Sequence, residues 1–489
     1  MYRTSLILII IFLVLAPYFL FPDITLYDSK RILQLILIGL ISVIALITFI
    51  NSREIKSYVD DYWLNISFKG KSVKIVLFVL VFSGLISVIL STSKSYAFLE
   101  YTFFLLLLAL ILFFLPVNKR QHYHLGSALI ISSIVYAGAY VIIFTGNYIS
   151  SFLDPMMILW PDKYNFTLVI DGEELHGKEV LYFVHRRFFN HTQTWTLPIL
   201  LGVLSYNQFK KNKQVITYSL FSLITFWWML VIASGGRGTF VSVIFSLFLL
   251  LSVWRKEVFT LVKNAFATLL SGSLLYLVLY KLIPGTATAS PILRTSDSGR
   301  FNMWSRATEM WYQNPLFGVG PLHYAKIIDE PNASHPHNFY LQFLSEWGII
   351  AFLALAILIA LLIVSVFNNF QKEKRNSQNK IFYIGVTWAL LSALTHSFFS
   401  GVMHTPMSQI WLVLILAWLI GFNRKSHSVN ISSPFYRSRN LVVIILALIV
   451  LFMSVGDILS LTENYSTYID RYPEKYFYPR FWNEGLIPK

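Results

Sequence analysis

The chain has 489 residues, of which 56% are hydrophobic and 13% charged, and it contains no cysteine. Because soluble proteins carry about 25% charged residues, this composition excludes an ordinary soluble protein and indicates a polytopic membrane protein. The absence of cysteine excludes disulfides, thiolate chemistry and cysteine-ligated zinc, and the formal net charge of +15 indicates basic cytoplasmic loops rather than nucleic-acid binding.

Thirteen apolar runs approach or reach the 17–25 residues or so that a transmembrane helix needs. They must be helical, because lipid offers no partner to unpaired backbone groups. The runs are 4–21, 30–50, 73–91, 96–116, 123–145, 192–208, 214–234, 237–253, 260–283, 346–367, 381–400, 405–422 and 440–460. The predicted fold class is therefore an all-α polytopic membrane protein with 12 or 13 transmembrane helices.

Lysine and arginine in the connections give the orientation, because short cytoplasmic loops carry an excess of both. With a cytoplasmic N-terminus, every short inside loop is basic, as in 209–214 and 368–380. We therefore predict a single transmembrane domain, 1–460, with its polar segments on the outer face. These segments are the loops 146–191 and 284–345, the connection SGGRG at 234–238 and the short tail 461–489.

The first outer loop contains a predicted hairpin followed by two arginines. Its arms are FTLVI at 166–170 and VLYFV at 180–184, joined by DGEELHGKE. Arg186 and Arg187 then lie at the mouth of the sixth span.

Arg237 lies in SGGRG between two apolar runs, where a charge is costly unless it is exposed or paired. The surrounding glycines let a ligand approach the backbone closely. This favours a binding role for Arg237, and the alternative is an arginine that extends to the membrane surface.

In the second outer loop, residues 299–313 predict a short amphipathic helix at the membrane surface, with Phe301, Trp304, Thr308 and Trp311 on one face and Ser298 as its cap. Arg300 falls in the first turn, where helix N-termini favour anions. The alternative is a solvated arginine or one that contacts lipid headgroups.

The motif SHPHN at 334–338 places His335, His337 and Asn338 just before a span, and His396 lies at another outer turn. Imidazole accepts a proton near neutral pH, and guanidinium holds phosphate, so this composition indicates chemistry on a phosphate-bearing substrate. The alternatives are surface or backbone-bonded histidines, and a zinc site that would add His191 and His185, for which HxH spacing is weak evidence.

Three segments, taken in order, resemble the signature region of the O-antigen ligase superfamily. They are SGGRG, SGRFNMWSRATEMWYQNPLFGVGP and SHPHNFYLQFLSEWGIIA, within about 230–350, with further similarity at HSFFSGVMHTPMSQ. The superfamily includes lipopolysaccharide O-antigen ligases, O-antigen polymerases and bacterial protein O-oligosaccharyltransferases.

The resemblance implies a glycosyltransferase of the bacterial inner membrane with a periplasmic active site and without a metal or other cofactor. It would transfer a glycan from undecaprenyl diphosphate to an acceptor hydroxyl, with inversion. The family's general base falls on His337, and its diphosphate-binding arginines fall on Arg237 and Arg300. We add Arg187 as a third diphosphate candidate. Secondary candidates are Arg186, His335, Asn338 and His396.

The acceptor stays open between lipid A-core and a pilin-like protein, and O-antigen polymerisation is an alternative within the same class. Membrane lipids surround the enzyme in each case. An alternative of another class is a transporter or flippase of polyprenyl-linked glycans, which would carry charges near the bilayer midplane on broken helices. Here the ionisable groups gather at the outer edge of the spans, which favours an enzyme.

Overall fold

The computed structural model describes residues 2–22, 24–51, 71–116, 118–153, 158–162, 165–170, 173–174, 183, 186–208, 214–282, 299–326, 334–372, 378–422, 433–471 and 480–482. In these residues the helices are α1 (Tyr2–Leu15), α2 (Leu26–Asn51), α3 (Lys71–Leu90), α4 (Lys94–Phe114), α5 (Lys119–Leu153), α6 (Arg186–Asn207), α7 (Gln214–Ala233), α8 (Arg237–Leu277), α9 (Arg300–Gln313), α10 (Phe339–Lys372), α11 (Gln378–His396), α12 (Pro406–Gly421) and α13 (Ser433–Arg471).

The predicted fold class is confirmed: this is an all-α polytopic membrane protein. Eight of the described helices are long and apolar enough to cross a membrane, and two further apolar helices are shorter. Each of the thirteen predicted spans falls on a helix of the structure. Local hydropathy locates the spans because helices in contact with lipid must be apolar.

One small sheet interrupts the helices. It consists of β1 (Ile158–Asp162), β2 (Asn165–Ile170) and β3 (Glu173–Glu174), which pair antiparallel in that order. The strand predicted at 166–170 is therefore present, but its partners are β1 and β3. The other predicted arm, 180–184, is described only at Phe183.

The core of the bundle is formed by α6 and α11, which pack with backbones in close contact. A Cβ added to Gly202 of α6 would lie 3.0 Å from the Cα of Gly385 on α11. The side chains of Trp195, Trp227 and Trp388 are fully buried around this crossing. Small residues permit such an approach between membrane helices, so α6 can run through the interior and carry polar side chains there.

Helix α8 carries two of the predicted spans, 237–253 and 260–283, and reverses direction at Trp254, whose backbone is non-helical. In a straight helix, Phe240 and Gly272 would lie roughly 48 Å apart, at about 1.5 Å per residue. Both instead contact Trp228 of α7: the rings of Phe240 and Trp228 are 6.1 Å apart, and a Cβ on Gly272 would lie 2.7 Å from the Trp228 Cβ. The helix is therefore a hairpin of two spans.

Helix α10 begins at Phe339, earlier than the predicted span at 346. Asn338 explains the difference, because its Oδ1 accepts the backbone N–H groups of Tyr340 and Leu341 at 3.0 and 3.1 Å and so caps the helix. Gly348 then interrupts α10 with φ 77°, and the Ile349 N–H donates to the Pro315 carbonyl at 2.9 Å. The loop that follows α9 is thereby fixed against α10.

Candidate active site

The first residues of α6 meet the SHPHN loop at one end of the bundle, hereafter the site end. Arg187 Nη1 lies 3.0 Å from His337 Nε2, although the two residues are 150 positions apart. A guanidinium can only donate hydrogen bonds, so Nε2 is the acceptor and the proton of the neutral ring is on Nδ1. Two predicted site residues are thus in direct contact.

His337 has an unusual backbone conformation, with φ 52°. In the described part of the chain, only Leu322 shares a positive φ among residues other than glycine. The His337 N–H donates to His335 Nδ1 at 3.1 Å, and the two rings meet edge to face, with centroids 4.3 Å apart. His335 therefore holds the backbone and the ring of His337 in position.

His335 performs this role as a neutral imidazole. Its side chain is buried, and burial lowers the pKa of His335 to about 3, with the charges of Arg480 and Arg187 acting in the same direction. At neutral pH the ring is unprotonated, so Nδ1 can accept the N–H of His337. His335 is thus a positioning residue and, as a buried imidazole, a poor acceptor of a substrate proton.

Helix α9 carries Arg300 to the same loop. It packs against the protein through Met303, Ala307 and Met310, and Trp304 Nε1 donates to the Pro336 carbonyl at 3.0 Å. Arg300 precedes Trp304 by one turn and so shares its side of the helix.

Of the predicted apolar face, Phe301 is exposed, so the side that packs on the protein is a different one. The predicted cap Ser298 lies outside the described residues, and Gly299 takes the N-cap position.

Arg237 begins α8 directly after the glycine turn, in which Gly235 has φ 63°. Its side chain is partly exposed and makes no hydrogen bond or ion pair within the described part of the chain. The next residue, Gly238, lies so close to His396 that an added methyl group would overlap Nε2. This guanidinium is therefore available to a ligand, on a turn whose position depends on His396.

His396 connects three elements behind the site. Its Nδ1 lies 2.8 Å from the Thr194 hydroxyl of α6, which is 2.8 Å from the Thr239 hydroxyl of α8. Arg300 is near enough to interact electrostatically with the same ring. His396 is buried, and its contacts with Thr194 and Gly238 hold the Arg237 turn against α6.

The remaining candidates lie at the edge of this arrangement. Arg186 is the first residue of α6 and is partly exposed beside Arg187. Asn338 uses its side chain as the cap of α10. Both residues are thus adjacent to the site, and the structure gives Asn338 a structural function.

The histidines at the site end bond to protein groups. His191 Nε2 lies 2.7 Å from the Ser400 hydroxyl, and His404 Nε2 lies 2.7 Å from Gln342 Oε1. No group of three or more His, Asp or Glu side chains in the described ranges is arranged to hold a metal ion. The zinc alternative therefore has no support from His191, His335 and His337, and His185 lies outside the described residues.

Sequence reasoning missed a buried ion pair behind the SHPHN loop. Arg480 Nη2, from the C-terminal tail, lies 2.7 Å from Glu346 Oε2 on α10, and both side chains are almost completely buried. Trp482 is buried as well, so this part of the predicted outer tail packs inside the bundle. The available signal was Glu346 itself, because a carboxylate in an apolar run requires a partner.

Together these contacts form a connected arrangement of five pieces of chain. Arg187 contacts His337, the adjacent Pro336 is bonded to α9, Arg300 of α9 interacts with His396, and His396 packs against the Arg237 turn. The guanidinium groups of Arg187, Arg237 and Arg300 and the imidazole of His337 thus lie on neighbouring pieces of chain at the site end.

Part of the chain matches a known protein family. Residues 220–356, a little over a quarter of the chain, match the family model described as O-antigen ligase, which confirms the resemblance to that superfamily. The matched segment contains Arg237, Arg300, His335 and His337, whereas Arg187, His396 and Arg480 lie outside it. A search of the curated proteins gives no match.

Proposed function

We propose that this protein, which carries an O-antigen ligase domain at residues 220–356, moves a glycan from undecaprenyl diphosphate to an acceptor hydroxyl on the periplasmic side of the bacterial inner membrane. The observation that carries the proposal is the contact of Arg187 with His337, 3.0 Å between Nη1 and Nε2. It joins a cation suited to a diphosphate and a base suited to a hydroxyl.

The arginines would bind the donor. When the glycosidic bond breaks, negative charge develops on the lipid diphosphate, and fixed cations directed at that charge lower the barrier. Arg237 presents a partly exposed guanidinium, and Arg187 and Arg300 lie at the same end of the bundle. Guanidinium groups suit this task because they bind phosphate oxygens in pairs.

His337 would be the general base. In the structure its Nε2 lone pair accepts a hydrogen bond from Arg187, so this nitrogen cannot take the proton of an acceptor hydroxyl at the same time. A bound diphosphate would compete with His337 for the Arg187 guanidinium. When Arg187 moves to the diphosphate, the Nε2 lone pair of His337 becomes available to the acceptor hydroxyl. Donor binding would in this way activate the base, and direct attack opposite the diphosphate would invert the anomeric centre.

The acceptor would be lipid A-core or a pilin-like protein. The same residues could also extend a lipid-linked glycan, which makes O-antigen polymerisation the alternative within the class. A transporter remains the alternative of another class, and the clustering of Arg187, Arg237 and His337 at one end of the bundle favours the enzyme.

The test is transfer in vitro by purified wild type, His337→Ala, Arg237→Ala and the control Arg255→Ala, which alters an exposed arginine next to the reversal of α8 at Trp254. The donor is undecaprenyl-diphosphate-linked glycan, offered with lipid A-core, with pilin or alone, in EDTA. We expect His337→Ala to lose about 10²–10⁴-fold in kcat and Arg237→Ala about 10²–10³-fold.

The product identifies the acceptor. Glycan on lipid A-core indicates a ligase, glycan on pilin a protein transferase, and chain growth on the donor alone a polymerase. Full activity of His337→Ala would overturn the assignment of His337 as the base. If the wild type transfers glycan to no acceptor, the transporter hypothesis would be favoured instead.

A further inference from the structure

The C-terminal tail re-enters the bundle and places a charge in its interior. Both terminal guanidinium nitrogens of Arg480 donate to the Glu346 carboxylate, with Nη2 2.7 Å from Oε2 and Nη1 3.2 Å from Oε1. A second carboxylate, Glu100 of α4, lies 3.6 Å from Nη2. Removing one partner of a buried ion pair is strongly destabilising, so the folded protein holds Arg480 firmly in this position.

The backbone of the tail is held by further hydrogen bonds. The Tyr27 hydroxyl donates to the Arg480 carbonyl at 2.7 Å, and Arg31 Nε donates to the Phe481 carbonyl at 2.9 Å. Trp482 Nε1 donates to Asp457 of α13 at 2.9 Å. Residues 480–482 are therefore bonded to α2, α10 and α13 together.

Arg480 and Glu346 connect this segment to the SHPHN loop. Arg480 Nη1 is 3.5 Å from the carbonyl of Ser334, the residue that precedes His335. On the other side, Gln342 Nε2 donates to Glu346 Oε2 at 3.2 Å, and Gln342 Oε1 lies 2.7 Å from His404 Nε2. The ring of His404 is 5.6 Å from that of His335.

We propose that Arg480 is a positioning residue for His337. Arg480 is held by Glu346 and Glu100 and contacts the Ser334 carbonyl. Ser334 and His404 in turn hold His335 in place, and His335 accepts the hydrogen bond from the His337 N–H. The tail thereby determines where the base lies without touching substrate. The effect on transfer rests on the proposed function, whereas the effect on the position of the loop does not.

The position of the loop can be measured without any glycan. The natural chain contains no cysteine, so Ser334→Cys, at a buried position, provides a single reactive thiol. We expect a membrane-impermeant maleimide to label it at least tenfold faster in Arg480→Met than in the parent. Ser234→Cys, buried in the α7–α8 turn at the same end, should stay protected in both backgrounds.

Two further variants separate loss of the clamp from general unfolding. Arg480→Met combined with Glu346→Gln removes both charges of the closest pair, so it should restore the thermal midpoint in part while Ser334→Cys stays labelled. Arg480→Lys keeps the charge and should keep most of the protection. Unchanged labelling of Ser334→Cys in Arg480→Met would overturn the proposal, as would equal exposure of Ser234→Cys.

The kinetic consequence is a split between kcat and KM. Because Arg480 does not touch the donor, the double variant should lose at least tenfold in kcat and change the donor KM less than twofold. A rise in KM with unchanged kcat would contradict the positioning role. If the wild type transfers nothing but labelling of Ser334→Cys still depends on Arg480, the proposed function fails while the structural inference stands.

Discussion

At the scale of single residues, the site depends on a histidine held in an unfavourable backbone conformation. A left-handed φ of 52° at His337 costs of the order of 1–3 kcal/mol. The hydrogen bond from its N–H to neutral His335 Nδ1 offsets part of that cost. The position of His337 therefore depends on an unprotonated Nδ1 in the neighbouring His335.

Stability should fall as the pH is lowered from about 6.5, because His335 is neutral in the folded protein and its pKa there is about 3. In the unfolded chain the histidine pKa is near 6.5, so below that pH the unfolded chain binds a proton that the folded protein does not. The free energy of unfolding therefore keeps its full value above about pH 6.5 and falls progressively toward pH 3. His404 acts in the same direction, since burial lowers its pKa as well. The measurement is the thermal midpoint between pH 7.5 and 5.

The control is His335→Asn, which keeps an acceptor for the His337 N–H but cannot titrate. Arg187, Arg480, His337 and His404 all face this position and are unchanged in the variant, so their contributions cancel in the comparison. We expect the midpoint of His335→Asn to fall less steeply with pH than that of the wild type. Equal slopes would show that His335 does not contribute.

At the scale of elements, the turn between α7 and α8 is fixed by contact with the end of α11. Gly238 has no space for a Cβ because His396 Nε2 occupies it, and His396 is in turn bonded to Thr194. Gly238 thus serves packing as well as access of a ligand to Arg237.

Gly238→Ala should destabilise the protein by about 1–3 kcal/mol, as overpacking of a tight interior does, and should reduce transfer by displacing Arg237. The matched control is Gly138→Ala in α5, where an added Cβ meets nothing within 4 Å. In a helix that change stabilises by about 0.5–1 kcal/mol. Thermal unfolding and transfer rate are the measurements.

A double-mutant cycle with His396→Ala identifies the cause. If the overlap with the imidazole is responsible, Gly238→Ala should cost less in the His396→Ala background than in the wild type. Additive effects of the two substitutions would place the strain elsewhere.

At the scale of the whole molecule, the reversal of α8 at Trp254 decides the orientation of everything that follows it. With two spans in α8, the site end receives Arg187, Arg237, Arg300 and His337 together. With a single span, α9 and the SHPHN loop would lie at the opposite end from Arg237. The contacts of Phe240 and Gly272 with Trp228 support the first arrangement.

This arrangement predicts the accessibility of single cysteines in whole cells. Ser305→Cys, exposed on α9 at the site end, should react with an impermeant maleimide in cells whose outer membrane alone has been opened. Lys256→Cys, exposed next to the reversal of α8, should react only after the inner membrane is permeabilised. Labelling of both residues from the same side would contradict the hairpin, and exchanged accessibility would invert the proposed orientation.

The sequence by itself determined the spans, the helix of Arg300 and the membrane class, because hydropathy and helical periodicity are properties of residues close together in the chain. It also identified Arg237, Arg300 and His337 as candidates through local motifs. Only the tertiary structure decided that Arg187 contacts His337 across 150 positions and that Arg480 pairs with Glu346 across 134. Such partners depend on which helices pack together, and that choice is made by the complementarity of whole surfaces, which no short stretch of sequence contains.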